Sequence, residues 1–311
     1  MVMTSTVNTP MWQRYIESKI GFVLPKTQVR WLNNAITTTA EDSQLSVPEL
    51  WLAIQADVRL RQQLLDRTLI AESRFFRHVP SLNYVVMLAK AFSQTTLAEH
   101  YVQEQKAKNS RNPSLKIPKQ KSTHFRIWSV GCAKGQEVWS LAMLLENSGI
   151  VDYRILGTDV NYEAIQEARL GRYSAREIAA VPSDYSHYIS HYIQDYESDP
   201  TLVYHSSKTK AVESGNCWQV CDSLGKKVTF RHHNMFTSKV ATKAKQQVII
   251  CQNMLIYFRQ FDQRDILARL VEHCEVGGHI ILAPGEALFW RHPKMQRVSH
   301  PQVNLWQKVE A

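Results

Sequence analysis

The chain has 311 residues, and several features are missing from it or scarce. No run of about 18 or more apolar residues occurs, so no membrane-spanning helix is expected. Met1 to Pro10 show no basic region followed by an apolar stretch, so no secretory signal is expected. Five cysteines, an odd number at irregular spacing, point away from a disulfide scaffold and towards reduced thiols in a cytoplasmic protein. Cys217 and Cys221 have no second cysteine pair and no histidine at a convincing spacing, so no metal site is expected. The 12 histidines are scattered, and His232-His233 reads as a strand edge. What remains is an ordinary globular balance, with 44% hydrophobic and 21% charged residues. It excludes wholesale disorder and collagen-like or low-complexity fibres. The length suits roughly two domains, each with its own core.

The formal net charge is +9, which raises the question of a nucleic-acid partner. Residues 1–100 carry only +2 and residues 125–311 another +2, while residues 101–124 carry +5. That short stretch, with Pro113, Pro118 and many polar residues, reads as a basic linker. It is either simply solvated or a surface that attracts an acidic partner.

Residues 1–100 read as helical. Thr9 is a candidate cap with Pro10 at the first helical position, followed by Trp12, Tyr15, Ile16 and Ile20 at helical spacing. Ser46-Val47-Pro48-Glu49 is a capping-box pattern that opens a helix through Leu50, Ile54, Val58 and Leu65. Ser81 is a candidate cap for a helix carrying Val85, Leu88, Ala89 and Phe92. After the linker the pattern alternates. Strands are expected at 126–130, 154–158, 228–231, 247–251 and 279–283, with helices at 138–145, 164–170 and 262–274. Such alternation implies an α/β fold with a mostly parallel sheet covered on both faces. Arg172–Lys227 fits the alternation poorly. It reads as an inserted subdomain in which Tyr185, Tyr188, Tyr192, Tyr196 and Trp218 are available to pack.

Four segments carry candidate chemistry. Ser129-Val130-Gly131-Cys132-Ala133-Lys134-Gly135-Gln136-Glu137 is a strand, a turn with two glycines and a helix start. It lets a ligand approach the backbone and presents free N–H groups, although a tight structural turn would read the same way. Asp159 ends the second strand, where a carboxylate can accept hydrogen bonds from ribose hydroxyls; together the two segments fit a nucleoside cofactor. Glu72-Ser73-Arg74-Phe75-Phe76-Arg77 places a cation beside aromatics that are core anchors, and that cation is either a surface charge or aimed at a carboxylate. Cys251-Gln252-Asn253-Met254-Leu255-Ile256-Tyr257-Phe258 is an apolar strand that runs into polar and aromatic residues at the strand ends, with Asn234 on the same edge. Helix capping and core packing are the alternatives there.

Together these segments resemble the chemoreceptor glutamate methyltransferases of bacterial chemotaxis, the CheR family. The resemblance runs from about Trp12 to Lys308 and rests on the segments above with Gly157-Thr158-Asp159-Val160, Val228–Asn234 and Val276-Gly277-Gly278. It implies a class I, Rossmann-like S-adenosylmethionine-dependent methyltransferase domain at 125–311 with an insertion at about 172–227. A small helical receptor-recognition domain at 1–100 and a linker at 101–124 would precede it. It also implies S-adenosylmethionine as cofactor, S-adenosylhomocysteine as product and a cytoplasmic location. By position, Ser73 and Arg77 would approach the cofactor and the reaction centre, Glu137 would hold the methionine part and Asp159 the ribose. Asn234 and Met235 would flank the adenine, Gln252 and Asn253 would close the site, and Tyr257 would sit beside the transferred methyl. Gly131 and Gly135 join this cofactor set through the loop, and Arg77 and Tyr257 are the catalytic candidates. Three segments depart from the family pattern: Ala71 for Asn, Ala133-Lys134-Gly135-Gln136 for Ser-Thr-Gly-Glu, and Gln252 for Arg. Met11–Leu32 and the enlarged insertion are similar to the type IV pilus-associated, PilK-like branch.

The implied substrate is a glutamate on the cytoplasmic helical domain of a methyl-accepting chemoreceptor. Arg59, Gln63 and Arg67, spaced i, i+4 and i+8 on the Ser46-capped helix, form one polar face expected to dock it. No nucleic acid and no membrane insertion are expected. The alternatives are a nucleic-acid methyltransferase and a catalytically weak cofactor-binding regulatory module.

Overall fold

A computed structural model describes residues 7–109, 124–192, 217–237 and 241–310. Helix α1 (Thr9–Ile20) carries Pro10 in its first turn, but its cap is Asn8, whose side chain accepts from the Met11 N–H. α2 (Val29–Asp42) follows. The Ser46 capping box forms as expected: the Ser46 hydroxyl accepts from the Glu49 N–H, and the Ser46 N–H donates to Glu49 Oε2 at 2.7 Å. The helix it opens does not reach Leu65. α3 (Val47–Ala56) stops at Asp57, which is extended at φ −87° and ψ 108°. The Asp57 carboxylate then accepts the N–H groups of Arg59 (2.7 Å) and Leu60 (3.1 Å) and starts α4 (Val58–Thr68). A capping acid inside an apolar-periodic run ends one helix and begins the next without interrupting the apolar face. Trp12, Ile16, Leu32, Ile36, Leu50, Ile54 and Leu64 from all four helices close one core.

Ser81 does not cap a helix. α5 (Val79–Asn109) begins two residues earlier, and the buried Ser81 hydroxyl lies 2.7 Å from His78 Nδ1 and accepts from Gln252 Nε2 at 2.9 Å. α5 runs through Asn109, so residues 101–109 of the basic stretch are helical, while 110–123 fall outside the described residues. Its apolar residues Leu82, Val85, Val86 and Ala89 join the core of the α/β part and not that of the helical bundle. Packing therefore changes sides near Val79.

The α/β part contains β1 (Phe125–Val130), α6 (Gln136–Asn147), β2 (Tyr153–Asp159), α7 (Tyr162–Leu170), β3 (Arg172–Ser174), α8 (Ala175–Ile178), β4 (Ile189–Tyr192), β5 (Cys217–Val220), α9 (Asp222–Gly225), β6 (Val228–His232), β7 (Gln246–Cys251), α10 (Gln260–His273), β8 (Cys274–Leu282), β9 (Met295–Val298) and β10 (Asn304–Lys308). The main sheet has the order β6-β2-β1-β7-β8-β10-β9. Its first five strands are parallel, and β10 and β9 are antiparallel additions that the sequence patterns did not announce. β1 pairs with β2 from Phe125↔Tyr153 to Val130↔Thr158, so the glycine loop after Val130 and the carboxylate of Asp159 emerge side by side. One apolar layer packs α5, α6 and α7 on one face of the sheet, and a second packs α10 on the other. Among the described residues no helix is long and apolar enough to cross a membrane.

The insertion forms a three-stranded antiparallel sheet, β3-β5-β4. Tyr173 is buried in the main core, Tyr185 and Tyr188 pack against it, and the Arg172 guanidinium lies 3.8 Å from the centre of the Tyr192 ring. Trp218 meets His191 edge-on at 5.4 Å. Tyr196 lies outside the described residues.

A buried carboxylate joins the helical bundle to the sheet. Asp66 Oδ1 accepts from the Tyr162 N–H (2.8 Å) at the start of α7 and from Gln62 Nε2 (2.7 Å). Its carbonyl accepts from Asn161 Nδ2 at 3.2 Å, and Gln62 Nε2 also reaches the Val160 carbonyl at 3.0 Å. Burial pushes the Asp66 pKa up to about 7, above the ordinary carboxylate range. A raised folded-state value means that the folded protein holds a proton that the unfolded chain has released. This contribution to stability is complete below about pH 4 and is lost as pH rises through about 7. Relative to Asp66→Asn, the wild-type protein should therefore lose on the order of 1–3 kcal/mol of unfolding free energy across that window, read from urea titrations at each pH. Parallel profiles for the two proteins would refute it.

Candidate active site

A cleft enclosing about 1090 Å³, its open mouth included, lies where the helical bundle meets the carboxyl ends of β1, β2, β6 and β7. Strand C-termini of an open parallel sheet are where ligands bind, because loops diverge there and helix N-termini point inward. The expected residues Ser73, Arg77, Gly131, Glu137, Asp159, Asn234, Met235, Gln252, Asn253 and Tyr257 all line it. Gly135 does not. It has φ +86° and precedes α6, and a Cβ there would stand 2.9 Å from both Ala168 Cβ and Phe230 Cζ. Its role is to let α6 start hard against α7 and β6, not to face a ligand.

Asp159 organises the floor. One carboxylate oxygen accepts the Ala133 N–H of the glycine loop at 2.8 Å, and the other accepts the Asn161 N–H at 2.8 Å. Gly131 and Cys132 donate their N–H groups to the Thr158 carbonyl at 2.8 and 3.0 Å, which folds the loop back over β2. Burial raises the Asp159 pKa, and the hydrogen bonds from Asn161 and Ala133 oppose the rise. Glu137 Oε1 accepts from the Ser129 hydroxyl at 2.8 Å; burial raises its pKa, and Ser129 and Arg77 pull it down.

Arg77 is held by its neighbours. Phe75 is fully buried and meets Tyr173 edge-on at 4.9 Å, and Phe76 packs on Tyr185 at 4.9 Å. Phe76 has φ +53°, an uncommon value for a bulky residue, and its N–H donates to Ser140 Oγ at 2.9 Å. The exposed Arg77 donates Nη1 to the Glu72 carbonyl at 3.2 Å and stands at the cleft mouth. Across from it, burial and the Glu72 charge raise the Tyr257 pKa while Arg77 lowers it, so Tyr257 keeps its proton near neutral pH.

Several partners were invisible in the sequence patterns. Glu286 is buried, and its Oε2 accepts the N–H groups of Asn253 and Ala283, both at 3.1 Å. It thereby pins the turn in which Asn253 adopts φ +58° and from which Tyr257 projects. The end of α1 forms one wall: Ile20 and Phe22 line the cleft, Phe22 lies 4.7 Å from the Tyr257 ring, and the Val23 N–H donates to the Tyr257 carbonyl at 2.9 Å. Gly21 (φ +71°) permits this approach, since a Cβ there would stand 2.5 Å from Phe236. A glycine just past a helical pattern and followed by phenylalanine was the available signal. The amides of Asn234 and Gln252 have structural partners. Asn234 Nδ2 donates to the Lys19 carbonyl at 2.9 Å, and Gln252 Nε2 donates to Ser81 Oγ and to the Leu282 carbonyl. Lys134, at a departure from the family pattern, pairs with Glu167 at 2.8 Å outside the cleft.

A glycine-lined backbone cradle beside two carboxylates suits a ligand with a nucleoside and an amino-acid end. At Gly131 (φ +71°) a Cβ would stand 3.1 Å from the Met254 side chain, so the glycine lets Met254 pack closely on the loop where it borders the cleft. The fold and this cleft define a class I S-adenosylmethionine-dependent methyltransferase. The family profile described as "CheR methyltransferase, SAM binding domain" matches residues 94–304, and the chain belongs to that family. Among curated relatives, the "Chemotaxis protein methyltransferase Cher2" of Pseudomonas putida is 24% identical over 295 residues, 92% of each chain. The "Chemotaxis protein methyltransferase" of Listeria monocytogenes is 27% identical over 165 residues, 53% of this chain and 54% of that one. "Chemotaxis protein methyltransferase 2" of Vibrio cholerae is 27% identical over 169 residues, 53% and 52% of the respective chains. The chain thus spans about half the length of the Listeria and Vibrio relatives it matches.

The two glycines should separate in experiment. Gly135→Ala should lower the unfolding free energy by about 2 kcal/mol, because strain at positive φ adds to a clash with Phe230. Gly131→Ala should cost less stability but weaken S-adenosylhomocysteine binding at least tenfold. Urea titration and calorimetry on both variants check this pair of outcomes.

Proposed function

We propose that the chain transfers a methyl group from S-adenosylmethionine to glutamate carboxylates on the cytoplasmic helical domain of a methyl-accepting chemoreceptor. The observation that carries this reading is the pairing of Arg77 with Tyr257 at the mouth of a cleft floored by the glycine loop, Glu137 and Asp159. A guanidinium at the mouth suits an anionic substrate, and the names of the curated relatives agree with chemotaxis.

The bound cofactor supplies an electrophilic methyl on a sulfonium. An exposed glutamate has a pKa near ~4.3 and is already ionised at neutral pH, so no group in the cleft has to act as a base. The protein's task is alignment and exclusion of water, which can contribute on the order of 7–11 kcal/mol. Asp159 would bind ribose hydroxyls with the lone pairs left over from its two backbone contacts. Glu137 would hold the ammonium of the methionine end, and Gly131 would let that end approach the backbone. Arg77 orients the incoming carboxylate from the Phe75–Phe76 anchor. Tyr257 keeps its proton and can donate a hydrogen bond at the reaction centre.

The docking face on the bundle needs one amendment. Arg59 and Gln63 are exposed on α4, but Arg67 is engaged: Nη2 pairs with Asp42 at 2.5 Å and Nη1 donates to Thr39 Oγ1 at 3.0 Å. We retain Arg59 and Gln63 as the receptor-facing pair and read Arg67 as a brace between α4 and α2. The helical bundle as a receptor reader completes the proposal.

Incubation with labelled cofactor and a receptor cytoplasmic fragment should yield alkali-labile methyl esters. Arg77→Ala should lower turnover at least 100-fold while S-adenosylhomocysteine affinity stays within about threefold. Unchanged turnover would remove Arg77 from the reaction. Arg59→Glu should raise KM for the receptor fragment severalfold without altering cofactor affinity, and an unaltered KM would reject the docking face.

A further inference from the structure

A run of contacts ties the end of α1 to the edge of the cleft. The Glu17 carboxylate pairs with Arg259 just ahead of α10, and the Lys19 carbonyl accepts from Asn234 Nδ2 at 2.9 Å. Gly21 closes the helix at φ +71°, its N–H donating to the Glu17 carbonyl at 2.8 Å. Phe22 follows, only 4% exposed, and the next N–H, that of Val23, donates to the Tyr257 carbonyl at 2.9 Å.

The direction of the Tyr257 ring depends on this run. Glu286 holds the backbone of the turn through the Asn253 N–H, but a backbone hydrogen bond leaves the side-chain torsions of Tyr257 free. The terminal torsion of an aromatic side chain has a broad minimum, so neighbouring atoms decide where the ring points. Met254, Leu255 and Phe258 of the same segment pack into the layer on the α10 face. Tyr257 does not join them; it packs on the core closed by α1 to α4. Its ring centre lies 4.7 Å from that of Phe22, with the planes tilted by 34°, and both residues line the cleft. The sheet thus supplies the backbone that carries Tyr257, and the helical bundle supplies the surface on which its ring rests.

We propose that Phe22 is a positioning residue for methyl transfer, holding the Tyr257 hydroxyl at the reaction centre through the contact between the two rings. This inference rests on the cleft being a methyltransferase site in which Tyr257 acts beside the transferred methyl. Phe22 then governs the rate of transfer and not the binding of cofactor or receptor. A misplacement of about 1 Å can cost on the order of 100-fold in rate. A smaller apolar side chain at this position forfeits part of that.

The test is a double-mutant cycle on the full chain, with labelled cofactor and a receptor cytoplasmic fragment. Phe22→Leu should lower kcat about tenfold, while KM for the fragment and S-adenosylhomocysteine affinity stay within about twofold. In a Tyr257→Phe background no hydroxyl remains to be aligned, and the same substitution should change kcat by less than about twofold. A full tenfold loss in both backgrounds would show that Phe22 acts by another route and would overturn the assignment. So would an unchanged kcat, or a loss of cofactor affinity that matches the loss of rate. If Tyr257→Phe alone turns over like wild type, Tyr257 leaves the reaction centre and the role of Phe22 goes with it. If wild type binds no S-adenosylhomocysteine and methylates no fragment, the methyltransferase reading of the cleft itself fails. Should Phe22→Leu not fold, Phe22→Met fills the gap with a more adaptable side chain and carries the same expectations.

Discussion

The two oxygens of Asp159 tie together three segments that meet at the carboxyl edge of the sheet. One takes a backbone N–H from the loop after β1, the other takes one from the turn into α7, and the residue itself ends β2. Each bond is ordinary, but both go to a charged acceptor in a half-buried place, where such bonds are stronger than between neutral groups. The glycine loop can cradle a ligand because this carboxylate stops it from collapsing over the sheet. The same turn is gripped from the other side by Asp66 of α4, so the helical bundle is fastened to the residues that shape the cofactor floor.

That double grip gives the cleft its construction. Two of its walls come from the sheet, and one comes from the end of α1 and the segment after α4. Movement of the bundle would therefore open the Phe22–Tyr257 contact and shift Arg77 relative to Glu137. A receptor helix that docks on α4 would push on an element whose inner face already carries Asp66 and Gln62. On the proposed docking, substrate binding and cofactor retention would share one small interface.

Much of this was legible. The capping box at Ser46, the strand-turn-helix at Val130–Glu137 and the acid at Asp159 are local patterns whose geometry follows from short-range sterics and hydrogen bonding. Other features were legible only as residues without partners. Asp57 looked like one more polar position on a helix, yet it divides two. Ser81 looked like a cap, yet it is a buried acceptor for Gln252. Arg67 shared a stripe with Arg59 and Gln63, but Asp42 on another helix claims it. Glu286 has no local signature, since it acquires its meaning from a segment distant in sequence. β9 and β10 carried too short an alternation to stand out; β8 offers an edge to β10, and β10 offers one to β9.

The sequence by itself determined the class of fold, the alternation of its central strands and helices and the cofactor motif, because periodicity, caps and a glycine turn act over a few residues. Tertiary structure decided which side each piece joins. It placed α5 with the sheet and not with the bundle, assigned Gly135 to packing and Gly131 to the cleft, and engaged one arginine of the docking stripe while leaving the other exposed. The physical reason is the same in each case. Burial and the partners it supplies depend on what the folded chain brings within a few ångströms, and no spacing along the sequence contains that information.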